Sequence, residues 1–507
     1  MKRAAEVLAV AAALALLGYR FANPELVSFA RDEPQFLAAA REQLWTGEWL
    51  SANPLYGNLG LRYGPASFWF YGVVMALFGD HPRAAIVAMG LAVTAAHLAF
   101  AWALVRLLEE RALVFAALAA WLASSPYFFH WSRLAWDLTS HAAVFATVAL
   151  LCTYRELRAG RALAIGLTLG VGLATHPSVT PLAVAVAVAV AWELRGRPRR
   201  LASRIGLMAA AAVTVMAPYL AFLLRAPTVR RAPRRAASLG DLAELVVQTP
   251  RTATPWGLDY YFDGTWSDFV SWLGAAAGPI GVLSVIALLL ALTASVVGVV
   301  LALRSADERH RRLGRVAAVA WAGNVLLLAA LGLDVHPHYH FASAWVPAFG
   351  VAVTVAWLRR WSRRAGGVAL ALLAAAALAQ FAVVERWVGY VRDRAGIRGP
   401  GYGTALGEEI ATVREVCSLP EATIVLRNET AMYAFPFRYL ATTLPACRDK
   451  TIVVCGAGFV PGPRRCPPPT PGAVEVRLRY ATLRGGDLQA EGKAGPSAPG
   501  DSRGPRR

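Results

Sequence analysis

The chain has 507 residues, of which 57% are hydrophobic and only 16% are charged. Soluble domains carry about 25% charged residues, so most of this chain is not an ordinary soluble domain. The formal net charge is +19, but the arginines lie mostly in short turns between apolar runs. A nucleic-acid-binding domain would cluster them with aromatic residues on one folded surface, so nucleic acid is not expected as a partner.

Eleven apolar segments are long enough to be membrane-spanning helices, which need roughly 20 apolar residues. They lie at 4–19, 84–105, 112–129, 138–154, 162–176, 178–194, 206–224, 272–303, 316–333, 341–358 and 365–384. The predicted fold class is therefore an all-α polytopic membrane protein. The first segment could be a cleaved signal peptide, but no convincing A-x-A site follows it, which favours an uncleaved anchor.

The placement of arginine predicts the orientation of these spans, because cytoplasmic loops carry an excess of Lys and Arg. Turns 175–178 and 333–341 contain neither residue, whereas five alternate turns are basic: 106–111, 155–161, 195–204, 304–315 and 359–364. This alternation of basic turns with turns that lack Lys and Arg predicts a cytoplasmic N-terminus and an extracytoplasmic segment after residue 385. The bias toward Ala, Arg and Gly is typical of a GC-rich bacterial genome, so we expect a bacterial plasma membrane.

The apolar segment 64–79 would reverse this alternation if it crossed the membrane. It is short, aromatic and interrupted by Pro65, which favours an interfacial or re-entrant helix. Residues 20–83 then form one extracytoplasmic loop that contains Asp32 and Glu33. Within it, 34–50 has apolar residues at helical spacing and is expected to lie flat on the bilayer. The two acidic residues at its start could simply cap this helix, or they could be catalytic.

Residues 386–483 have the pattern of a small extracytoplasmic α/β domain. A helical repeat covers 403–419, and the stretches 422–428, 451–457 and 473–483 are typical of strands. Four of the five cysteines lie here, and an even number in an oxidising compartment predicts two disulfides. They are Cys417, Cys447, Cys455 and Cys466, and three pairings are possible. Residues 484–507 are rich in Gly, Pro and charge and are predicted to be a disordered tail.

Polar residues on the predicted external face are candidate functional groups, because polar groups in or near a membrane often mark function. Arg133 and Asp137 are four residues apart and could also be an ordinary helical ion pair. His336, His338 and His340 alternate and could bind a metal, but no cysteine or acidic cluster completes a site. We therefore expect no cofactor. The arginines between 225 and 251 could contact anionic lipid headgroups.

Four short motifs, taken in order, resemble membrane glycosyltransferases of the GT-C fold. The branch is that of family 39, the protein O-mannosyltransferases and the lipid A aminoarabinose transferase. "RDEPQFLAAAREQLWTGEWL" resembles the family's acidic pair and following helix, and "YGPASFWFYGVVMALFG" resembles its interfacial segment. "SRLAWDL" stands for the R-L-A-x-x-D-like second loop, and "THPS" stands where relatives have a T-K-G-P-like turn.

The resemblance implies a glycosyltransferase with a polyprenyl-phosphate-sugar donor and an acceptor glycan, lipid or protein. It implies that Asp32 is the general base and that Glu33 assists acceptor or sugar binding. Arg133 and Asp137 would lie near the sugar phosphate, and His338 and His340 would face it. Relatives have a phosphate-binding Lys at the position of Tyr63, and Arg62 or the arginines of 225–251 could substitute for it.

Two other classes of function remain open from the sequence. A transporter or flippase of lipid-linked sugars would require charged residues buried in the middle of spans, and often inverted repeats, and the sequence shows neither. A non-catalytic membrane protein of envelope assembly would use the disulfide-containing domain for docking. The sequence indicates neither the sugar nor the acceptor.

Overall fold

The structure is a computed structural model, and it describes most of the chain. The described residues are 2–30, 32–53, 62–110, 112–136, 138–225, 238–258, 262, 266–332, 337–397, 402–428, 434–455, 473–478 and 490–491. They divide into two compact units. The membrane unit comprises Met1–Ala22, Ala39–Tyr260 and Trp266–Val388, and the α/β unit comprises Asn23–Ala38, Tyr261–Thr265 and Gly389–Arg507.

Helices dominate the described part of the chain. They are α1 (Lys2–Tyr19), α2 (Glu33–Thr46), α3 (Ala66–Phe78), α4 (Pro82–Leu107), α5 (Ala112–Ser124), α6 (Pro126–Trp131), α7 (Thr139–Thr153), α8 (Ala159–Leu173), α9 (Thr180–Glu193), α10 (Pro198–Arg225), α11 (Leu239–Arg251), α12 (Trp266–Leu273), α13 (Ala277–Leu303), α14 (Glu308–Leu331), α15 (Val346–Trp361), α16 (Arg363–Arg394), α17 (Leu406–Ser418) and α18 (Phe435–Thr443).

Six helical stretches of the described chain are long and apolar enough to cross a membrane: Pro82–Leu107, Pro198–Arg225, Trp266–Leu303, Glu308–Leu331, Tyr339–Trp361 and Arg363–Arg394. Each coincides with a predicted span. Six shorter apolar helices accompany them, of which five coincide with the other predicted spans and the sixth is α3. The prediction of a multi-span helical membrane protein is confirmed.

The five basic turns meet at one end of the membrane unit, which we call the basic end. Arg359 pairs with Glu110 at 3.0 Å, and the buried Arg312 pairs with Glu193 at 3.1 Å. Arg312 also donates to the backbone oxygen of Tyr154 at 2.6 Å. These contacts join turns that are far apart in the sequence. The sequence analysis predicted that the five basic turns lie on the same side of the membrane, and their location at one end of the unit agrees with this.

Helix α3 lies at the opposite end, which we call the outer end. Its 13 residues span only about 20 Å, whereas a bilayer core is about 30 Å thick. Ser67 shares a hydrogen bond of 2.7 Å with Thr139, at the start of α7, and Tyr71 donates to the backbone oxygen of Trp136 at 2.6 Å. Since α7 ends at the basic end, both contacts belong to the outer end. This is the placement expected of a helix that does not cross.

The backbones of α13 and α15 approach closely at a pair of glycines. A Cβ on Gly298 would lie 2.4 Å from the backbone of Gly350, and a Cβ on Gly350 would lie 2.4 Å from the backbone oxygen of Ala294. Small residues at such crossings allow dense packing between apolar helices, where the hydrophobic effect does not drive association.

The predicted span 112–129 is interrupted in the structure. Helix α5 ends at Ser124, and α6 begins at Pro126 after the extended Ser125. A residue before proline is disfavoured in the α conformation, which explains the break. The Ser125 hydroxyl donates to the backbone oxygen of Thr252 at 2.9 Å, so the break is stabilised by a contact with another segment of the membrane unit.

The α/β unit contains a four-stranded sheet of order β4-β3-β5-β6. The strands are β3 (Thr423–Asn428), β4 (Thr451–Cys455), β5 (Val474–Leu478) and β6 (Ala490–Glu491), and a separate pair joins β1 (Gly396–Ile397) to β2 (Gly403–Thr404). Strand β3 is parallel to both neighbours, and β6 is antiparallel to β5. The three predicted strands are present. The short β6 falls within the predicted tail, most of which lies outside the described residues.

One disulfide joins Cys417, near the end of α17, to Cys447. Cys455 is also disulfide-bonded, and Cys466 lies outside the described residues. The fifth cysteine, Cys152 in α7, is free and buried. This distribution agrees with the prediction that cross-links are confined to the C-terminal part of the chain.

Helix α2 begins at Glu33, as predicted, but its apolar face is covered by protein. Phe36, Leu37 and Ala40 are at most 2% exposed, whereas Trp45 is 71% exposed. The expectation that the whole helix lies flat on a bilayer is therefore wrong for its first two turns, because their apolar side chains are already buried. Only the end near Trp45 presents a large apolar side chain to the surroundings.

Candidate active site

The acidic pair stands at the start of α2, within the α/β unit. Asp32 is half-buried, and its backbone oxygen accepts from the Phe36 amide at 2.8 Å, closing the first helical turn. Glu33 is the first residue of the helix and is 7% exposed. The positive end of the helix dipole favours the ionised form of a carboxyl at this place. Capping and acid–base chemistry are thus compatible at Asp32.

Arg62 and Tyr63 are described within the membrane unit. Tyr219 of α10 donates to the Arg62 backbone oxygen at 2.8 Å, and the Arg62 guanidinium lies 5.8 Å from the centre of the Phe222 ring. The amide of Asn53 donates to the Tyr63 backbone oxygen at 2.8 Å. The backbone of this segment is therefore held at both residues. Of the arginines between 225 and 251, those at 230–235 lie outside the described residues.

Gly64 permits the closest contact of this segment. A Cβ at Gly64 would lie 2.0 Å from the backbone oxygen of Ala174, which also accepts from the Ala66 amide at 3.2 Å. We expect Gly64→Ala to displace the segment and to destabilise the protein by about 1–3 kcal/mol, the usual cost of overpacking. The thermal unfolding of the detergent-solubilised protein would show this as a lower midpoint.

The matched control for this substitution is Gly206→Ala, because a Cβ at Gly206 meets nothing within 4 Å. It adds the same methyl group to a membrane helix without a clash. Equal midpoints for the two variants would contradict the tight contact at Gly64.

Arg133 is buried in the second loop, between α6 and α7. Its Nη2 donates to the backbone oxygen of Ala22 at 3.1 Å, and its guanidinium stacks on Phe129 at 4.7 Å. Residues 132–136 are not helical, and the pairing of Arg133 with Asp137 stays a prediction. Asp137 itself lies outside the described residues. Arg133 brings a cation to the outer end, anchored at the point where α1 ends.

His340 is the centre of a buried polar cluster. Its Nδ1 lies 3.1 Å from the Asn324 amide nitrogen and 3.0 Å from the Thr249 hydroxyl, which is itself 2.7 Å from Ser343. An amide nitrogen can only donate, so Nδ1 accepts and the neutral ring carries its proton on Nε2. Within the described residues, Nε2 has no hydrogen-bond partner.

The predicted histidine triplet is only partly described. His336 and the side chain of His338 lie outside the described residues, so the role of His338 stays a prediction. Among the residues that the structure describes, no group of three or more His, Cys, Asp or Glu side chains is placed to hold a metal ion.

His176 joins two of the predicted regions at the outer end. Its ring centre lies 4.6 Å from that of Tyr63 and 5.9 Å from that of Tyr339. The rings of His176 and Tyr339 are stacked. Its Nδ1 accepts from the Ser178 amide at 3.2 Å, so the side chain caps the turn that begins at Pro177. The structure thus brings Tyr63 and the turn that carries His340 to one wall of aromatic rings.

A ladder of hydroxyl groups continues this wall. Thr139 lies 2.7 Å from Ser67 and 2.9 Å from Thr175, so the side chains link α3, α7 and the turn after α8. The sequence analysis missed these hydroxyl groups, together with Thr249 and Asn324. Ser67, Thr139 and Asn324 lie in apolar helices, where a single Ser, Thr or Asn gives no local signal.

A comparison with protein-family models gives a match over part of the membrane unit. Residues 62–222 match the family model described as dolichyl-phosphate-mannose-protein mannosyltransferase. The match begins at Arg62 and includes Tyr63, Arg133 and Asp137, but not Asp32, Glu33, His338 or His340. The match agrees, over these residues, with the resemblance to the protein O-mannosyltransferase branch expected from the sequence motifs.

Two solved structures are similar in overall layout. They are crystal structures of ArnT from Cupriavidus metallidurans, in the apo state and bound to undecaprenyl phosphate. Their sequences are 17% and 16% identical to this chain, with 89% of this chain and 85% of that chain covered and a TM-score of 0.45 in both cases. At this level of similarity, no residue role is carried over from them. Curated protein sequences give no significant match.

Proposed function

We propose that the protein moves a sugar from a polyprenyl-phosphate donor to an extracytoplasmic acceptor hydroxyl. The observation that carries the proposal is the family match of residues 62–222, which covers a large part of the membrane unit. Tyr63, His176 and the turn 337–343 lie within contact of one another at its outer end. Between membrane helices, such an end can receive the polar head of a lipid-linked donor while the tail stays among apolar side chains.

The proposed general base is Asp32, with Glu33 assisting acceptor or sugar binding. A carboxylate within hydrogen-bond reach takes the acceptor proton as the hydroxyl oxygen attacks the anomeric carbon. The bond from that carbon to the phosphate oxygen breaks, and the lipid phosphate leaves with the electron pair. The position of Asp32 at a helix N-terminus supports this role, because it favours the carboxylate that a base requires.

The leaving phosphate gains charge in the transition state, so fixed donors and cations nearby would stabilise it. We assign this role to Arg62, Tyr63, Arg133 and His340, with Asp137 and His338 as further candidates. Arg133 supports the assignment because it is buried and anchored, so little side-chain entropy is lost when it binds an anion. His340 supports it because its accepting Nδ1 leaves an Nε2–H as a donor.

We further propose that the protein lies in a bacterial plasma membrane with its basic end in the cytoplasm and its α/β unit outside. The convergence of five basic turns supports this orientation. The disulfide Cys417–Cys447 supports an oxidising compartment for the α/β unit.

Reconstitution of the purified protein with polyprenyl-phosphate sugars tests the proposal. We expect free polyprenyl phosphate and a glycosylated acceptor, both detectable by mass spectrometry, and a loss of envelope glycan in a strain without the gene. Translocation of the intact donor across the vesicle without any product would instead favour a transporter. The same assay with an extract of envelope lipids and glycans would reveal the acceptor class.

A further inference from the structure

The segment Asn23–Ala38 is folded together with the C-terminal part of the chain. The Leu406 amide donates to the Val27 backbone oxygen at 3.0 Å, and the Tyr402 hydroxyl donates to the Leu26 backbone oxygen at 2.6 Å. Ser28 pairs with Ala405 as an antiparallel bridge. Three consecutive residues of this segment are thus held by residues almost 380 positions later.

Three further contacts extend this attachment. The Ser28 hydroxyl donates to the Tyr402 backbone oxygen at 2.5 Å. A Cβ at Gly407 would lie 2.7 Å from the Cβ of Glu25, so the start of α17 rests directly on the segment. Phe29 packs edge-on against Tyr439 of α18 at 5.7 Å. The position of residues 25–29 is therefore determined by contacts with residues 402–439 of the same α/β unit.

Glu409 of α17 is buried together with Glu33. The two side chains are 1% and 7% exposed, respectively. Burial raises the pKa of Glu409 well above its ordinary value, and the charge of Glu33 raises it further. One Glu409 oxygen, Oε2, has no hydrogen-bond partner among the described residues. Glu409 is therefore a buried carboxyl with a raised pKa, close enough to Glu33 to be affected by its charge.

We propose that α17 braces the segment that carries Asp32 and Glu33, and that Glu409 is a positioning residue for Glu33. The proposal rests on the proposed function of that acidic pair. A neutral carboxyl can donate one hydrogen bond, whereas a second carboxylate at this place would repel the first. Under this proposal, a protonated Glu409 keeps Glu33 in place without competing for the acceptor proton, and α17 makes the C-terminal part of the chain a part of the transfer machinery.

The substitution series at Glu409 separates positioning from simple packing. Glu409→Gln keeps the shape, the neutrality and a donor, so we expect its kcat to stay within about threefold of the wild-type value. Glu409→Ala removes the brace, and we expect kcat to fall about 10- to 100-fold with little change in KM, because small displacements of catalytic groups cost this much. The matched control is Glu408→Gln, which changes the adjacent, less buried carboxyl.

Hydrogen exchange of the full-length protein provides a readout that is independent of transfer. In Glu409→Ala and in Tyr402→Phe, we expect amides of residues 23–38 to exchange at least about tenfold faster than in the wild type. Unchanged exchange in both variants would overturn the brace. Faster exchange with unchanged kcat would confirm the brace and instead contradict the catalytic role of Asp32 and Glu33. The two failures are therefore distinguishable.

The dependence of stability on pH gives a second test. A carboxyl with a raised folded-state pKa contributes stability below its ordinary pKa and loses it as the pH rises through the folded value. We expect the wild-type melting temperature to fall relative to that of Glu409→Gln between pH 5 and the alkaline range, since glutamine does not titrate. Parallel curves for the two proteins would contradict a buried, neutral Glu409.

The other charged groups near α17 do not remove this expectation. The elements packed against it carry Glu25, Arg438 and Arg448. Arg438 donates to the Val454 backbone oxygen at 3.1 Å, and Arg448 is exposed. Of the described charged groups, only Glu33 contributes to the pKa shift of Glu409.

Discussion

Asp32→Asn is expected to reduce the rate of sugar transfer by about 100- to 10,000-fold, the usual contribution of a general base. Asparagine has nearly the same shape and can still close the first turn of α2 through its backbone, so the fold and donor binding are expected to persist. Single-turnover transfer and equilibrium donor binding, measured on the same preparation, would separate the two effects.

The matched control for Asp32→Asn is Glu42→Gln, because Glu42 is an exposed carboxyl on the same helix. We expect this variant to transfer at the wild-type rate. Wild-type turnover in Asp32→Asn would remove the base assignment without affecting the family match of residues 62–222.

Replacing Cys417 and Cys447 by serine is expected to destabilise the α/β unit by about 3.5 kcal/mol. The two cysteines are 30 residues apart, and the chain-entropy estimate for a loop of this length lies between about 3 and 4.7 kcal/mol. Serine also leaves two hydroxyl groups at buried positions. Limited proteolysis of the full-length protein across a denaturant series would report the loss as earlier cleavage within residues 389–455.

Cys152→Ala is the control for the disulfide variant, since Cys152 is free and lies in the membrane unit. Its effect on cleavage of the α/β unit should be small. If the double serine variant is cleaved at the wild-type denaturant concentration, the disulfide does not stabilise this unit. If α17 braces Asp32, transfer by the double variant should fall together with its resistance to cleavage.

Local patterns were sufficient to predict most elements of this fold. Runs of apolar residues marked the spans, because a helix in lipid must satisfy its own backbone groups and be apolar along its length. Alternation and β-branched residues marked β3 and β4. The break at Ser125 was also readable in principle, since proline at position 126 disfavours a helical conformation in the residue before it.

The contacts that build the site were not predictable in the same way. The hydroxyl ladder through Thr139 and the cluster around His340 join helices that are far apart in the sequence, and no local period encodes such pairs. The attachment of Val27 and Ser28 to the C-terminal domain is the extreme case. The place of the acidic pair in the first loop made it a candidate, and the resemblance to a family motif gave it a role. Its neighbour Glu409 lay in a helical repeat that carried no such signal.

The joining of residues 23–38 with residues beyond 388 also constrains the order of biogenesis. Residues 23–38 leave the ribosome early, yet the partners of Leu26, Val27 and Ser28 are residues 402–406, which are synthesised after helix α16. The segment must therefore wait, incompletely folded, until residues 402–406 have been made and have reached it. A chain that stalls before residue 400 would be inserted but could not complete this loop, so assembly itself delays activity until the protein is finished.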